Sequence, residues 1–243
     1  MNIRNLMQRT FAVGIFTLAV LTILTTLAAA SSAQDDMNVI NRSQVPATAK
    51  TLGAFVPKGW IIEQQIIGNV GGDGDTFIAL KLIEDKPLTE TRNRAMVIAL
   101  KDDKGDLKNA GVAGKLLQCP GCGGAFYGIM DAPADVKVGD KGVITITQDG
   151  GSRWVWTETY KFRFDTASGK FQLIGFDYAV RDRNTGQVDS ESTNYITGDR
   201  VTTHGKGKAD KTTKTQVKVA KTYLDDADHE KFADDAGKRL GVN

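Results

Sequence analysis

Residues 153–164 alternate along their length: Trp154, Trp156, Tyr160, Phe162 and Phe164 hold one parity, and Arg153, Thr157, Thr159, Lys161 and Arg163 the other. Side chains that repeat every two residues point to opposite sides of an extended chain, so this segment is a strand with one aromatic face and one wet face. A short polar connection at 165–169 leads to a second extended run at 171–178, which predicts an antiparallel hairpin. Such a pair has to rest its aromatic face on something, and the rest of the chain supplies more strands.

Residues 60–67 read as a strand that stops at the glycine-rich segment 68–74. Residues 77–83 and 95–101 are nearly continuous apolar runs, the pattern of strands covered on both faces, with turn residues at 102–106 after the second. A strand at 143–147 precedes Gly150 and Gly151, and turns at 184–186 and 197–199 continue the series. Eight to ten short strands at close spacing predict a mainly β fold, an antiparallel meander forming a sandwich, an open barrel or partial propeller blades. Beyond them, Val217 and Val219 alternate with Gln216 and Lys218 in a lysine-rich stretch, as an edge strand guarded by lysines would. Residues 225–240 end the chain as a helix, with acidic residues at the start, Lys238 and Arg239 at the end and Gly241 as its stop.

The first 33 residues follow a different grammar. Arg4 and Arg9 precede an apolar and threonine stretch at 11–30, then Ser31, Ser32 and Ala33 before Gln34, Asp35 and Asp36. This is the order of a secretory signal peptide cleaved after Ala33, with retention as an anchor the alternative. The expected organisation is therefore a signal peptide at 1–33, a flexible polar leader at 34–51, a β-rich domain at 52–224 and a helix at 225–243. It implies a periplasmic or secreted protein with no integral membrane segment after cleavage. Loss of the leader's two arginines would leave 29 basic and 29 acidic residues. A balanced chain has no basic excess to neutralise phosphates, which argues against a nucleic-acid partner.

Three places carry candidate chemistry. Cys119-Pro-Gly-Cys122 is the first. A redox pair of this spacing needs its leading thiol at a helix N-terminus, which Gly123 and Gly124 oppose, and a zinc site needs four ligands where His204 and His229 stand far apart. A local structural disulfide in an oxidising compartment is the expected state. Asn69, Asp73 and Asp75 around Gly74 form the second, spaced as a loop that wraps calcium, but Gly71 and Leu80 stand where further ligands belong, so calcium would be held weakly. The third is Glu158, on the aromatic face between Trp156 and Tyr160. If that face is core, the carboxylate must find a partner such as an arginine. If it is open, Trp154, Trp156, Glu158 and Tyr160 form a ligand face for a sugar or peptide. No nucleophile-base constellation is visible, so no catalytic residue is assigned.

In order along the chain, Phe55-Val-Pro57-Lys-Gly59-Trp60, the loop 68–75, Cys119 to Gly124, Gly150-Gly151-Ser152-Arg153-Trp154, Tyr160-Lys-Phe162-Arg-Phe164, Leu173-Ile-Gly175 and Asn194-Tyr195-Ile196-Thr197-Gly198 resemble a family of exported bacterial β-rich proteins of unknown function. The resemblance covers about residues 55–200. It implies export and a compact β domain, without an activity. Family members carry a fuller acidic loop where this chain has Asn69 and Gly71. The resulting expectation is a non-enzymatic envelope or interaction protein with an envelope protein or glycan as partner. A thiol-disulfide oxidoreductase using Cys119 and Cys122, and a carbohydrate-binding or carbohydrate-cleaving protein using the 154–160 face, are the alternatives.

Overall fold

The structure, a computed structural model, describes residues 39–72, 74–205 and 210–242. The expected signal segment, residues 34–38 of the leader and Asp73 lie outside the described residues. Among those described, no helix is long and apolar enough to cross a membrane.

Among the described residues, twelve strands and one α-helix follow one another: β1 (Thr48–Ala49), β2 (Trp60–Asn69), β3 (Thr76–Glu84), β4 (Arg94–Lys101), β5 (Leu107–Ala113), β6 (Ala134–Val138), β7 (Ile144–Gly151), β8 (Trp154–Asp165), β9 (Lys170–Asp182), β10 (Val188–Asn194), β11 (Asp199–Gly205), β12 (Lys211–Gln216) and α1 (His229–Leu240). They form two antiparallel sheets that do not close into a barrel, a five-stranded one in the order β1-β5-β4-β3-β2 and a seven-stranded one in the order β12-β11-β10-β9-β8-β7-β6. The mainly β fold expected from the alternating runs is what forms, as a sandwich.

Strand parity explains the layers. Phe77 and Ala79 of β3 and Met96 and Ile98 of β4 meet Ile144, Ile146, Tyr160, Phe162, Phe171 and Leu173 of the larger sheet in one core. The opposite parity of the same two strands, Ile78, Leu80, Leu82, Ala95, Val97 and Ala99, packs against Ile40, Val45 and Phe55. The runs at 77–83 and 95–101 are thus continuous because both faces are covered. The cover is a correction to the flexible leader expected at 34–51. From Val39 on that segment belongs to the fold, since Ile40 and Val45 are buried and Thr48 and Ala49 pair with β5. Each such buried side chain stabilises by about 1.5–3 kcal/mol, which outweighs the polarity of the residues between them.

The seven-stranded sheet buries one face. Part of it meets the other sheet, and part lies under α1, whose Phe232 ring stands 5.5 Å from Tyr160 and 5.0 Å from Phe176. The helix starts later than the acidic run suggested. Residues Leu224–Asp226 form a 3-10 turn that buries Leu224, and Asp228 caps α1 by accepting a hydrogen bond from the Lys231 amide. Gly241, at φ 70°, ends it in the left-handed conformation. The lysine-bearing edge strand also lies earlier than expected: Lys211–Gln216 pairs with β11, whereas Val217 and Val219 are not in a strand. There the Val217 amide closes onto the Gly198 carbonyl and the chain leaves the sheet edge towards β9, where Leu173 donates to the Thr222 carbonyl.

Candidate interaction surface

Between β5 and β6 the chain makes a long excursion that contains Cys119 and Cys122. Their sulfurs lie at bonding distance, 1.84 Å, with Cα atoms 5.1 Å apart. The Cys122 amide donates to the Cys119 carbonyl, and the Ala132 amide to the Pro120 carbonyl, so the excursion is closed on itself at both levels. The segment after Cys119 is 3-10 and kinks at Gly124. Without an α-helix starting there, no helix dipole acts to stabilise a thiolate at Cys119, and Cys119 is itself buried.

The stem of the loop is held by buried polar groups. The Gln118 amide N–H donates to Gln148 Oε1 (2.9 Å), and Gln148 Nε2 donates to the Leu116 carbonyl (2.9 Å) and to Glu158 Oε1 (2.6 Å). Tyr160 donates its hydroxyl to Glu158 Oε2 at 2.8 Å, and His229 Nδ1, at the start of α1, stands 3.6 Å from Glu158 Oε1. Gln118 Nε2 further donates to the carbonyls of Pro133 and Asp149, and Arg94 donates to the Ala132 carbonyl at 2.7 Å while holding Glu63 through two nitrogens. Glu158 therefore sits in the core, as one of the sequence readings allowed, but its partners are two neutral donors and a histidine rather than an arginine. Burial pushes its carboxyl up to about 7 against the opposing hydrogen bonds from Tyr160 and Gln148. Burial likewise lowers the His229 imidazole.

Glycines fit the loop to the sheet. A Cβ on Gly124 would stand 2.7 Å from the Gly151 carbonyl oxygen, and one on Gly150 would stand 3.2 Å from Gly123 backbone atoms. Two backbones touch there because neither carries a side chain.

What the loop presents outward is apolar. Ile129 is fully exposed and Met130 is 64 % exposed; Leu88, from the β3–β4 connection, is 82 % exposed. These three line a cleft of about 270 Å³ together with Pro120 and the polar residues Thr89, Glu90, Thr91, Arg92 and Asp131, so apolar side chains stand at a largely polar cleft. Phe126 lies farther along, under the Arg183 guanidinium at 5.5 Å, and Arg183 also donates to the Ser152 carbonyl. Beside it Arg153 stacks on Trp154 at 5.2 Å and grips the buried Asp182 through Nε and an NH2 nitrogen (3.1 and 2.8 Å), holding that carboxyl far below the usual range. Five of the nine large apolar side chains exposed among the described residues (Leu88, Phe126, Ile129, Met130 and Trp154) thus belong to the loop and the two turns beside it. An apolar cluster of this kind marks a contact surface more often than scattered single exposures do.

Of the residues that the sequence singled out, the structure brings Cys122 and Trp154 to this surface, buries Cys119 at the base of the loop and places Glu158 in the network beneath its stem. Trp156 is half-buried against the core and Tyr160 is wholly buried, so the 154–160 stripe offers Trp154 alone as an exposed ring. Asn69 and Asp75 flank a turn closed by its own backbone, with the Val70 amide on the Asp75 carbonyl, and the Asn69 side chain accepts from Thr76. Among the described residues no three His, Cys, Asp or Glu side chains converge as a metal site. Sequence reasoning missed Leu88, Phe126, Ile129 and Met130. The one available signal was the run Phe126-Tyr127-Gly128-Ile129-Met130, apolar yet with neither strand nor helix period. No family model, curated protein or solved structure matches the chain.

Proposed function

We propose that the chain is an exported, non-enzymatic interaction module that meets an envelope protein through the tip of the 119–130 loop, Leu88 and the Trp154 corner. One observation carries this reading: side chains as apolar as Ile129 and Met130 are held in solvent, with Leu88 of the β3–β4 connection beside them, by a loop whose stem is fixed by a disulfide-distance pair, buried amides and Arg94. A loop ordered in advance loses little conformational freedom on binding, and the exposed apolar area then counts towards affinity. The buried positions of Cys119, Glu158 and Tyr160 favour a contact role over thiol exchange or sugar stacking.

The test is site-specific photo-crosslinking in an exporting host, with a photoreactive residue at Ile129 and, as control, at exposed Lys108 on β5. A discrete adduct from position 129, absent from 108 and lost in a Leu88→Ser, Met130→Ser background, is the expected result. Equal, diffuse labelling from both positions would sink the proposal.

A further inference from the structure

Two open sheets have four lateral edges, and three of them are blunted. β12 carries Lys211 and Lys214 and is exposed throughout, β1 is two residues long, and β6 is five residues long with Asp135 and Lys137 outward. Lysines, brevity and outward charge are the usual guards against edge pairing. β2 differs. It is ten residues long, pairs with β3 alone among the described residues, and has no lysine, arginine or proline. Its guards are the weaker ones, a bulge and a single charge, Glu63, which is already paired with Arg94 and Lys81. Ile61 and Ile67 on it are 44 % and 68 % exposed.

The strand contains a bulge at Glu63, where the register shifts between Ile62 and Gln64. Trp60 and Ile62 pack with the Phe55 cluster, and Ile66 packs with the core between the sheets. Across β3, Gln65 and Ile67 stand opposite Leu80 and Ile78 on the Phe55 side, and Gln64 stands opposite Lys81 on the other. Glu63 reaches Lys81 and therefore shares that second side. Residues an odd number apart normally lie on opposite faces of a strand. The extra residue reverses this, so that 60 and 67, 61 and 66, 62 and 65, and 63 and 64 each share a face. The segment 60–67 is consequently matched to itself run backwards.

We propose that β2 pairs antiparallel with β2 of a second copy of this chain about a two-fold axis between Glu63 and Gln64. In that register Trp60 of one copy lies beside Ile67 of the other, Ile61 beside Ile66, Ile62 beside Gln65, and Glu63 beside Gln64. The exposed isoleucines gain apolar cross-strand neighbours, and the free backbone edge gains a ladder. A contact repeated on both subunits closes as a dimer rather than growing. An interface of one edge strand falls at the small end of specific contacts, so dissociation constants of roughly 1–100 μM are expected.

Sedimentation equilibrium of the chain purified from an exporting host, from about 1 to 300 μM, reads the assembly. A concentration-dependent dimer is expected, with Ile67→Lys weakening it at least about tenfold and Ile67→Val leaving it in place, both with an unchanged melting profile. The register is read separately by mixing two single variants, Trp60→Cys and Ile67→Cys, under mild oxidation. The mixture should cross-link, and Ile67→Cys alone should not, because like positions lie roughly 23 Å apart along the ladder. A monomer at every concentration, a dimer indifferent to Ile67→Lys, or cross-linking as efficient in Ile67→Cys alone as in the mixture would each overturn the proposal.

Discussion

The central strands of the five-stranded sheet, β3 and β4, are buried on both faces and the seven-stranded sheet on one, although both sheets are antiparallel meanders built in the same way. In the smaller sheet, β3 and β4 carry apolar residues at both parities, because the larger sheet lies on one side and residues 40–55 on the other. In the larger sheet the large apolar residues hold one parity, and the outer side presents chiefly Thr147, Thr157, Thr159, Ser190, Ser192 and Thr203, with Ala179 and Val201 among them. What separates the two is a short N-terminal cover. The larger sheet also hides a carboxylate, Glu158, in its inner face, and the 119–130 loop is fastened to it there.

The comparison is sharpest at Phe55. Phe55→Ala removes the largest side chain of the cover and should cost about 3–5 kcal/mol in urea denaturation; a loss under about 1 kcal/mol would mean that the second layer is not part of the smaller sheet's core. Glu158 tests the larger sheet. Its carboxyl is raised to about 7 in the fold, so the stability it provides is complete below the unfolded value near 4.5 and declines as pH rises through 7. His229, lowered by burial, acts in the opposite sense as pH falls. Between pH 5 and 8.5 the native chain should lose up to about 3 kcal/mol from Glu158, and Glu158→Gln should remove most of that slope. Parallel profiles for the two proteins would break the assignment of the slope to this group. The Cys119–Cys122 bond closes so small a ring that its reduction should lower stability by about 2 kcal/mol or less, seen as a modest drop in melting temperature with the sheets intact. Thr159→Ala, on the open face, should change stability by less than about 0.5 kcal/mol; a larger loss would show that the outer face is covered.

How far the sequence was legible follows from the same division. Where one face is wet, as at 153–164, alternation marks the strand and its inner side. Where both faces are dry, as at 77–83 and 95–101, an unbroken apolar run marks the layer but not which side meets what. The cover was only partly legible: Phe55 lies in an apolar run, but Ile40 and Val45 stand among mostly polar residues and act through contacts some forty residues away. β5 was missed because Asn109 and Gly111 lower its strand character, and their places depend on the bulge between Ile98 and Ala99 of β4. Glu158 was recognised as anomalous from its parity. Its partners were not, since Gln148 is contributed by β7 and His229 by a helix seventy residues on, and no local pattern ties the three together. The apolar tip of the loop obeyed no period at all, which is why a contact surface was harder to see than a core.

The contact of Gly123 and Gly124 with Gly150 and Gly151 bears on how such a protein can change over generations. At Gly124 and Gly150 any side chain would press on the backbone of the facing pair, so neither position can drift by single steps while its counterpart stays in place. The tip residues, which are mostly exposed, are freer to vary one at a time. Heritable novelty in what the molecule meets is thereby channelled to Leu88, Ile129 and Met130, while the seam that aims them is held as a unit.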